Sequence, residues 1–220
     1  PECNGLYQIK TINNDMTPIF EMIKQASQKD LEMAALYFEK HVPLGVVASI
    51  TGRDVISFSQ YIYSLDKNIV SCIGTGNERV VAENLIYYKE VDSAVLDTYT
   101  AWIIATFDIF DIIKSIFGRL LIPQSVINEI RLLEGSHQLN GGQKMSVGWR
   151  NGQFLRDELS PENSKQIVET ISQLREKIEE NCEVLPVAIP DDIESELVHY
   201  KNSLDSIFLA QKENAFLISE

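Results

Sequence analysis

The sequence predicts an α/β protein built on a parallel sheet and preceded by a mostly helical N-terminal region. Two observations predict the sheet. In Val91 to Arg131, a short apolar run, Ala94-Val95-Leu96, ends in Asp97. An apolar helix-like segment, Ala101 to Phe117, comes next and breaks at Gly118. A second short run, Leu120-Leu121-Ile122, stops at Pro123, and a further helical pattern carries Glu129. The same alternation resumes at Ser160 and continues to the end of the chain. Strand, helix, strand, helix is the pattern of parallel strands joined by crossover helices. A third observation sets the N-terminal part apart, because helical stripes dominate the first 90 residues.

In chain order, Pro1 to Asp15 is polar and rich in turn residues. Thr17-Pro18 reads as a helix start, with Ile19, Phe20, Ile23 and Ala26 as its apolar stripe. Asp30 is expected to open a second helix through Phe38, Pro43 a third that Gly52 closes, and Asp54 a fourth. The pair around Gly52 invites a helix-turn-helix reading. Arg53 is followed by Asp54, Ser57, Ser59, Gln60 and two tyrosines, a poor set for phosphates and base edges, so a helical hairpin with a buried face is preferred. Ile69 to Ile73 reads as a strand and Gly74-Thr75-Gly76 as a turn. GTGNER lacks the Lys-Ser/Thr of a phosphate loop. Asn77 is expected to cap a helix whose apolar side is Val80, Val81, Leu85 and Ile86.

Beyond Arg131, Gly135 to Gly142 reads as a polar loop. Asn151-Gly152 between MSVGWR and QFLRD is a strong hairpin signal. Lys144, Arg150 and Arg156 beside Trp149 and Phe154 make this hairpin, near 143–157, the best candidate for touching a polyanion. The alternative is that the two aromatics anchor it to the body. Ile167, Ile171, Leu174 and Ile178 recur at helical spacing after Ser160-Pro161. Cys182 to Val187 reads as the third strand, Pro190 to Tyr200 as a loop with a short acidic helix, and Asn202-Ser203 as the start of the last helix. Asp205 is expected in the first turn of that helix. Ala215 to Ile218 is the fourth strand.

Composition excludes several classes. A net charge of −13 argues against a broad basic nucleic-acid face. Cys3, Cys72 and Cys182 form no CxxC pair, which fits a reducing cytoplasm and offers no zinc site. The longest apolar stretch carries Asp108, Asp111, Lys114 and Arg119, so no membrane span is expected. The chain begins at Pro1 and ends just after an apolar run, and both ends read as cuts through a larger protein.

Three acids stand out: Asp97, Glu129 and Asp205. Each lies near the start of a helix in the strand–helix alternation, which in a parallel sheet places them on one edge, where open α/β sheets bind ligands. Asp97 has a structural alternative as an N-cap. Ser125 reads as an N-cap whose capping-box partner would be Asn128, so the box does not account for Glu129. Three carboxylates on one edge repel one another, and a divalent cation is the usual resolution. An all-oxygen set suits Mg²⁺ or Mn²⁺.

VLDTYTAW, IPQSVINEI and NSLDSIFLAQKENAFLISE, in that order, resemble the PIN-domain nucleases over about Val91 to Glu220. The stretch before Asp97 and the hairpin after Glu129 resemble the PIN modules appended to tetratricopeptide-repeat and Gre-factor-like proteins. The resemblance implies a three-layer α/β/α domain over residues 91–220, C-terminally incomplete, behind a mostly helical region at 1–90. It also implies that Asp97, Glu129 and Asp205 bind the metal and catalyse, with Thr98 beside it. Two departures matter. Gly135 to Asn181 is longer than in a minimal domain of this kind, and the fourth acid is expected just after Glu220.

On this resemblance the chain is expected to be a metal-dependent endoribonuclease that cleaves single-stranded RNA with Mg²⁺ or Mn²⁺. The alternative is a catalytically inactive PIN-like scaffold whose helical N-terminal region docks a partner protein. The acid triad favours the first and the acidity of the chain favours the second, so enzymatic activity stays open. A nuclease should place basic side chains around the acids.

Overall fold

A computed structural model describes residues 16–40, 42–67, 76–88, 92–138, 144–150, 152–188 and 201–219. The expected strand at 69–73, the acidic helix within 190–200 and the first fifteen residues lie outside the described residues.

The N-terminal helices are α1 (Thr17–Lys40), α2 (Leu44–Thr51), α3 (Val55–Ser64) and α4 (Gly76–Tyr87). The two helices expected between Thr17 and Phe38 are one. No glycine or proline interrupts Ile19 to Lys40, and Asp30 does not cap. Its buried carboxylate accepts from the Arg53 guanidinium at 2.5 Å. Gly52 ends α2 with φ 74°, and Asp54 caps α3 by accepting from the Ser57 N–H at 2.7 Å. α2 and α3 bury Val47, Ala48, Val55, Ile56, Phe58 and Ile62, as a helical hairpin with a packed face requires. Helix α4 starts at Gly76, so Asn77 lies inside it. Val80 and Val81 of its expected apolar side are exposed, whereas Ile86 packs on the core.

The sheet is built from β1 (Ser93–Leu96), β2 (Arg119–Pro123), β5 (Glu183–Leu185) and β6 (Phe216–Ile218), in the order β5-β2-β1-β6, with every pair parallel. Between β1 and β2 the structure has two helices, α5 (Thr98–Phe107) and α6 (Phe110–Phe117), where the sequence suggested one. Asp108 breaks them in the left-handed conformation, φ 54°, which Asp tolerates better than most residues. Lys177 also holds the Asp108 carboxylate at 3.3 Å.

α7 (Gln124–Gln138) continues from Pro123 without a gap. Ser125 is therefore inside the helix and not its cap, and its hydroxyl is buried with no hydrogen-bond partner among the described residues. The helix also runs through Gly135, shortening the expected loop.

Next come the hairpin strands β3 (Lys144–Arg150) and β4 (Gln153–Leu159), then α8 (Pro161–Asn181) and α9 (Lys201–Glu213). The hairpin rests on α1. Trp149 donates its backbone N–H to the Ser27 hydroxyl, and Phe20 and Trp149 both pack on Phe154, at 4.6 and 4.5 Å between centroids. Trp149 and Phe154 are thus anchors.

Alternation along the strands splits the core in two, because successive side chains point to opposite faces. Ala94, Leu96, Leu120 and Ile122 join one cluster with α5, α7, α8 and the α2–α3 pair. Val95 and Leu121 join Leu209 and Ala210 of α9 in the other. Helices therefore cover both faces, giving three layers. No helix among the described residues is long and apolar enough to cross a membrane.

Gly118 fixes the β1–β2 register. Its φ is +75°, and a Cβ there would stand 2.6 Å from the Asp92 carbonyl oxygen. That oxygen accepts the Arg119 N–H at 3.0 Å, one step before the Ser93–Arg119 pairing. Gly118→Ala is expected to cost roughly 2–4 kcal/mol, combining backbone strain with a backbone clash. Gly52→Ala, with a similar φ of +74° but nothing within 4 Å, should cost only about 1 kcal/mol. Urea unfolding of the two variants checks this, and equal losses would mean that the close approach at Asp92 does not matter.

Candidate functional site

The three acids reach the carboxyl edge of the sheet by different routes. Asp97 is the first residue past β1 and the N-cap of α5, where its Oδ1 accepts the Thr100 N–H at 2.7 Å. Capping is therefore a role that Asp97 has. Glu129 lies in the second turn of α7, just past β2. Asp205 is the fifth residue of α9, not in its first turn as expected, because the helix begins at Lys201. α9 leads into β6, which runs parallel to β1, so the start of α9 belongs to the same edge.

Glu129 is the best-defined member. Its Oε2 accepts the Thr98 hydroxyl at 2.7 Å and its Oε1 accepts the Val55 N–H at 3.2 Å. Thr98 is the first residue of α5 and Val55 the first of α3, so one carboxylate bridges two helix starts. The Tyr63 and Tyr99 hydroxyls, 3.2 Å apart, tie the same two helices a second time. Burial pushes the Glu129 pKa up. The hydrogen bonds from Thr98 and Val55 oppose that rise, and the charges of Asp54 and Asp97 add to it. Asp97 and Glu129 are thus electrostatic neighbours, and Asp54 is a third acid that sequence reasoning missed. Its nearness rests on a contact between Val55 and Glu129, 74 residues apart. The only local sign was an Asp opening an apolar helix.

Asp205 is 5% exposed, and its Oδ1 is buried with no hydrogen-bond partner among the described residues. An orphaned buried carboxylate oxygen is costly, and it suits a hard cation. The donor chemistry of Asp97, Glu129 and Asp205, all carboxylate oxygens, therefore fits Mg²⁺ or Mn²⁺. As the side chains stand, no three His, Cys, Asp or Glu groups among the described residues are grouped closely enough to hold an ion. Arg53, next to Asp54, is ion-paired with Asp30.

A family model described as the PIN domain associated with the TPR-GreAB-C-PIN system matches residues 95–220, more than half of the chain. No curated protein and no solved structure matches it.

Two outcomes are expected for the metal-free protein. A raised folded-state pKa means that the Glu129 contribution to stability is full below its ordinary value of 4.5 and is lost as pH rises through the folded value. Glu129→Gln keeps an acceptor for the Val55 N–H and offers a donor to Thr98, but never ionises. With chelator present, it should melt with the wild type below about pH 4.5 and above it at neutral pH. A variant that melts lower at neutral pH would show that the charged form is what the two helix starts need. Asp97→Ala should lose about 1 kcal/mol with the cap, whereas Asp97→Asn, also a good N-cap, should stay within about 0.5 kcal/mol of wild type. Parallel denaturant titrations measure both.

Proposed function

Because the chain belongs to the PIN-domain family of the TPR-GreAB-C-PIN system, we propose that it is a metal-dependent endoribonuclease acting on single-stranded RNA in the cytoplasm. The observation that carries this reading is Glu129, a carboxylate with raised proton affinity, set beside Asp97 and Asp54 at the ligand-binding edge of the sheet. Asp97, Glu129 and Asp205 would hold Mg²⁺ or Mn²⁺, which would neutralise charge on a phosphodiester and supply a water of lowered pKa. The chain's own contribution is positional. Thr98 and the Val55 amide fix the Glu129 carboxylate, and the cap bond to Thr100 fixes Asp97 at the end of β1.

One observation favours the second reading, an inactive scaffold that docks a partner through its helical N-terminal region. No three ligating side chains among the described residues converge as they stand. The two readings part in one experiment. A nuclease should show a thermal shift with Mn²⁺ and cleave single-stranded RNA, and Asp97→Asn should lower cleavage by about a hundredfold or more, as loss of an electrostatic contributor at a reacting centre does. Cleavage that survives Asp97→Asn is a contaminant's. A chain with neither shift nor cleavage is the scaffold.

A further inference from the structure

A cavity of about 470 Å³ lies between α3, α5, α7, α8 and β4. Leu133 and Ile171, both buried, form its floor with the partly buried Ile167 and Trp102. The side-chain amides of Gln60, Asn163 and Gln166 stand at its rim and make no hydrogen bond among the described residues. None of its lining residues is Asp, Glu, Lys or Arg, although the chain carries 51 of them, 19 basic and 32 acidic.

The lining restricts the occupant. With no Lys or Arg in the lining and His137 its one basic side chain, a phosphate or carboxylate would give up much of its hydration for little return. A purely aliphatic ligand would make no use of the three exposed amides at the rim. Amides carry donors and acceptors in one plane, and an indole offers a face for stacking. Together they suit an uncharged, planar heteroaromatic ring with a mixed donor–acceptor edge, which is the chemistry of a nucleobase.

The position of the cavity relates it to the acids. Glu129, Leu133 and His137 are four residues apart and share one face of α7. Leu133 and His137 line the cavity, about 6 and about 12 Å along the axis from Glu129. On α5, Thr98 holds Glu129, and Trp102, one turn on, lines the cavity. The cavity therefore continues the acid edge along two helices, within reach of a base whose own phosphate lies at the acids.

We propose that this cavity is a nucleobase subsite, taking one unpaired base against Trp102 and recognising its edge through Asn163 and Gln166. Its place beside a scissile phosphodiester rests on the nuclease reading, whereas its affinity for a free base does not. Only a base free of a duplex could enter, because a paired base presents neither face nor edge.

The test uses the 220-residue chain with Trp149→Phe, which leaves Trp102 as the sole tryptophan of the two in the sequence. Its fluorescence is followed, with chelator present, as each of the four ribonucleosides is added up to millimolar concentration. At least one nucleoside should quench it saturably. Asn163→Leu with Gln166→Leu, both at exposed positions, should weaken that binding about tenfold or more, as losing the partners of a polar edge does. Asp97→Asn should leave it unchanged. An unshifted melting temperature in the double variant keeps misfolding out of the comparison. Absence of saturable quenching, or equal affinity in the double variant, overturns the subsite. Base binding without Asp97-dependent cleavage would confirm the subsite and sink the nuclease reading alone. Asp97-dependent cleavage without base binding would do the reverse.

Discussion

A single carboxylate, Glu129, holds the candidate site to the helical region before it. It accepts from the first amide of α3 and from the hydroxyl on the first residue of α5. Helix starts leave amides without intrahelical partners, and a nearby negative charge is favourable there. Glu129 meets both needs from a third helix. The cost is desolvation, made worse by the charges of Asp54 and Asp97, which together raise its proton affinity. The geometry at the edge is thus secured by a group that resists ionising, a tension a fully solvated glutamate would not carry.

The sheet explains why these pieces meet. Parallel strands put every β-to-α turn at one edge, and the β5-β2-β1-β6 order places β1 and β2 side by side in the middle. Asp97 and the start of α7 are therefore neighbours by topology. Gly118 makes the pairing close, since no side chain fits between it and the Asp92 carbonyl. The α2–α3 pair then packs into the same apolar cluster as β1, α5 and α7. Through that packing the start of α3 is brought to Glu129 from a stretch of sequence far from the sheet.

The sheet was legible because its signals are local. Ala94-Val95-Leu96 and Leu120-Leu121-Ile122 are short apolar runs closed by Asp97 and Pro123, and all six residues are buried. Asn151-Gly152 marked the hairpin for an equally local reason. Misread boundaries came from residues with two roles. Asp30 resembles a cap but is buried against Arg53, Asp108 breaks a helix by adopting a positive φ, and Ser125 resembles a cap but lies inside α7, which begins directly on Pro123. In the site, the strand–helix alternation and the three motifs around them singled out Asp97, Glu129 and Asp205. Asp54 and the Val55 amide were illegible, because only packing across 74 residues brings them to Glu129.

Capping and ligation, set against each other by the sequence, are not exclusive. A carboxylate has two oxygens, each with two lone pairs. One hydrogen bond to Thr98 and one to Val55 orient both Glu129 oxygens without exhausting either, and the Thr100 amide orients Asp97 in the same way. Asp97 and Glu129 are thus each oriented by structural bonds, although no three ligating groups among the described residues converge as they stand. Under the nuclease proposal, chemistry at this edge would therefore draw on the same bonds as the stability of the fold. For that reason, substitutions that keep the hydrogen bonds but remove the charge separate the two roles, and truncations do not.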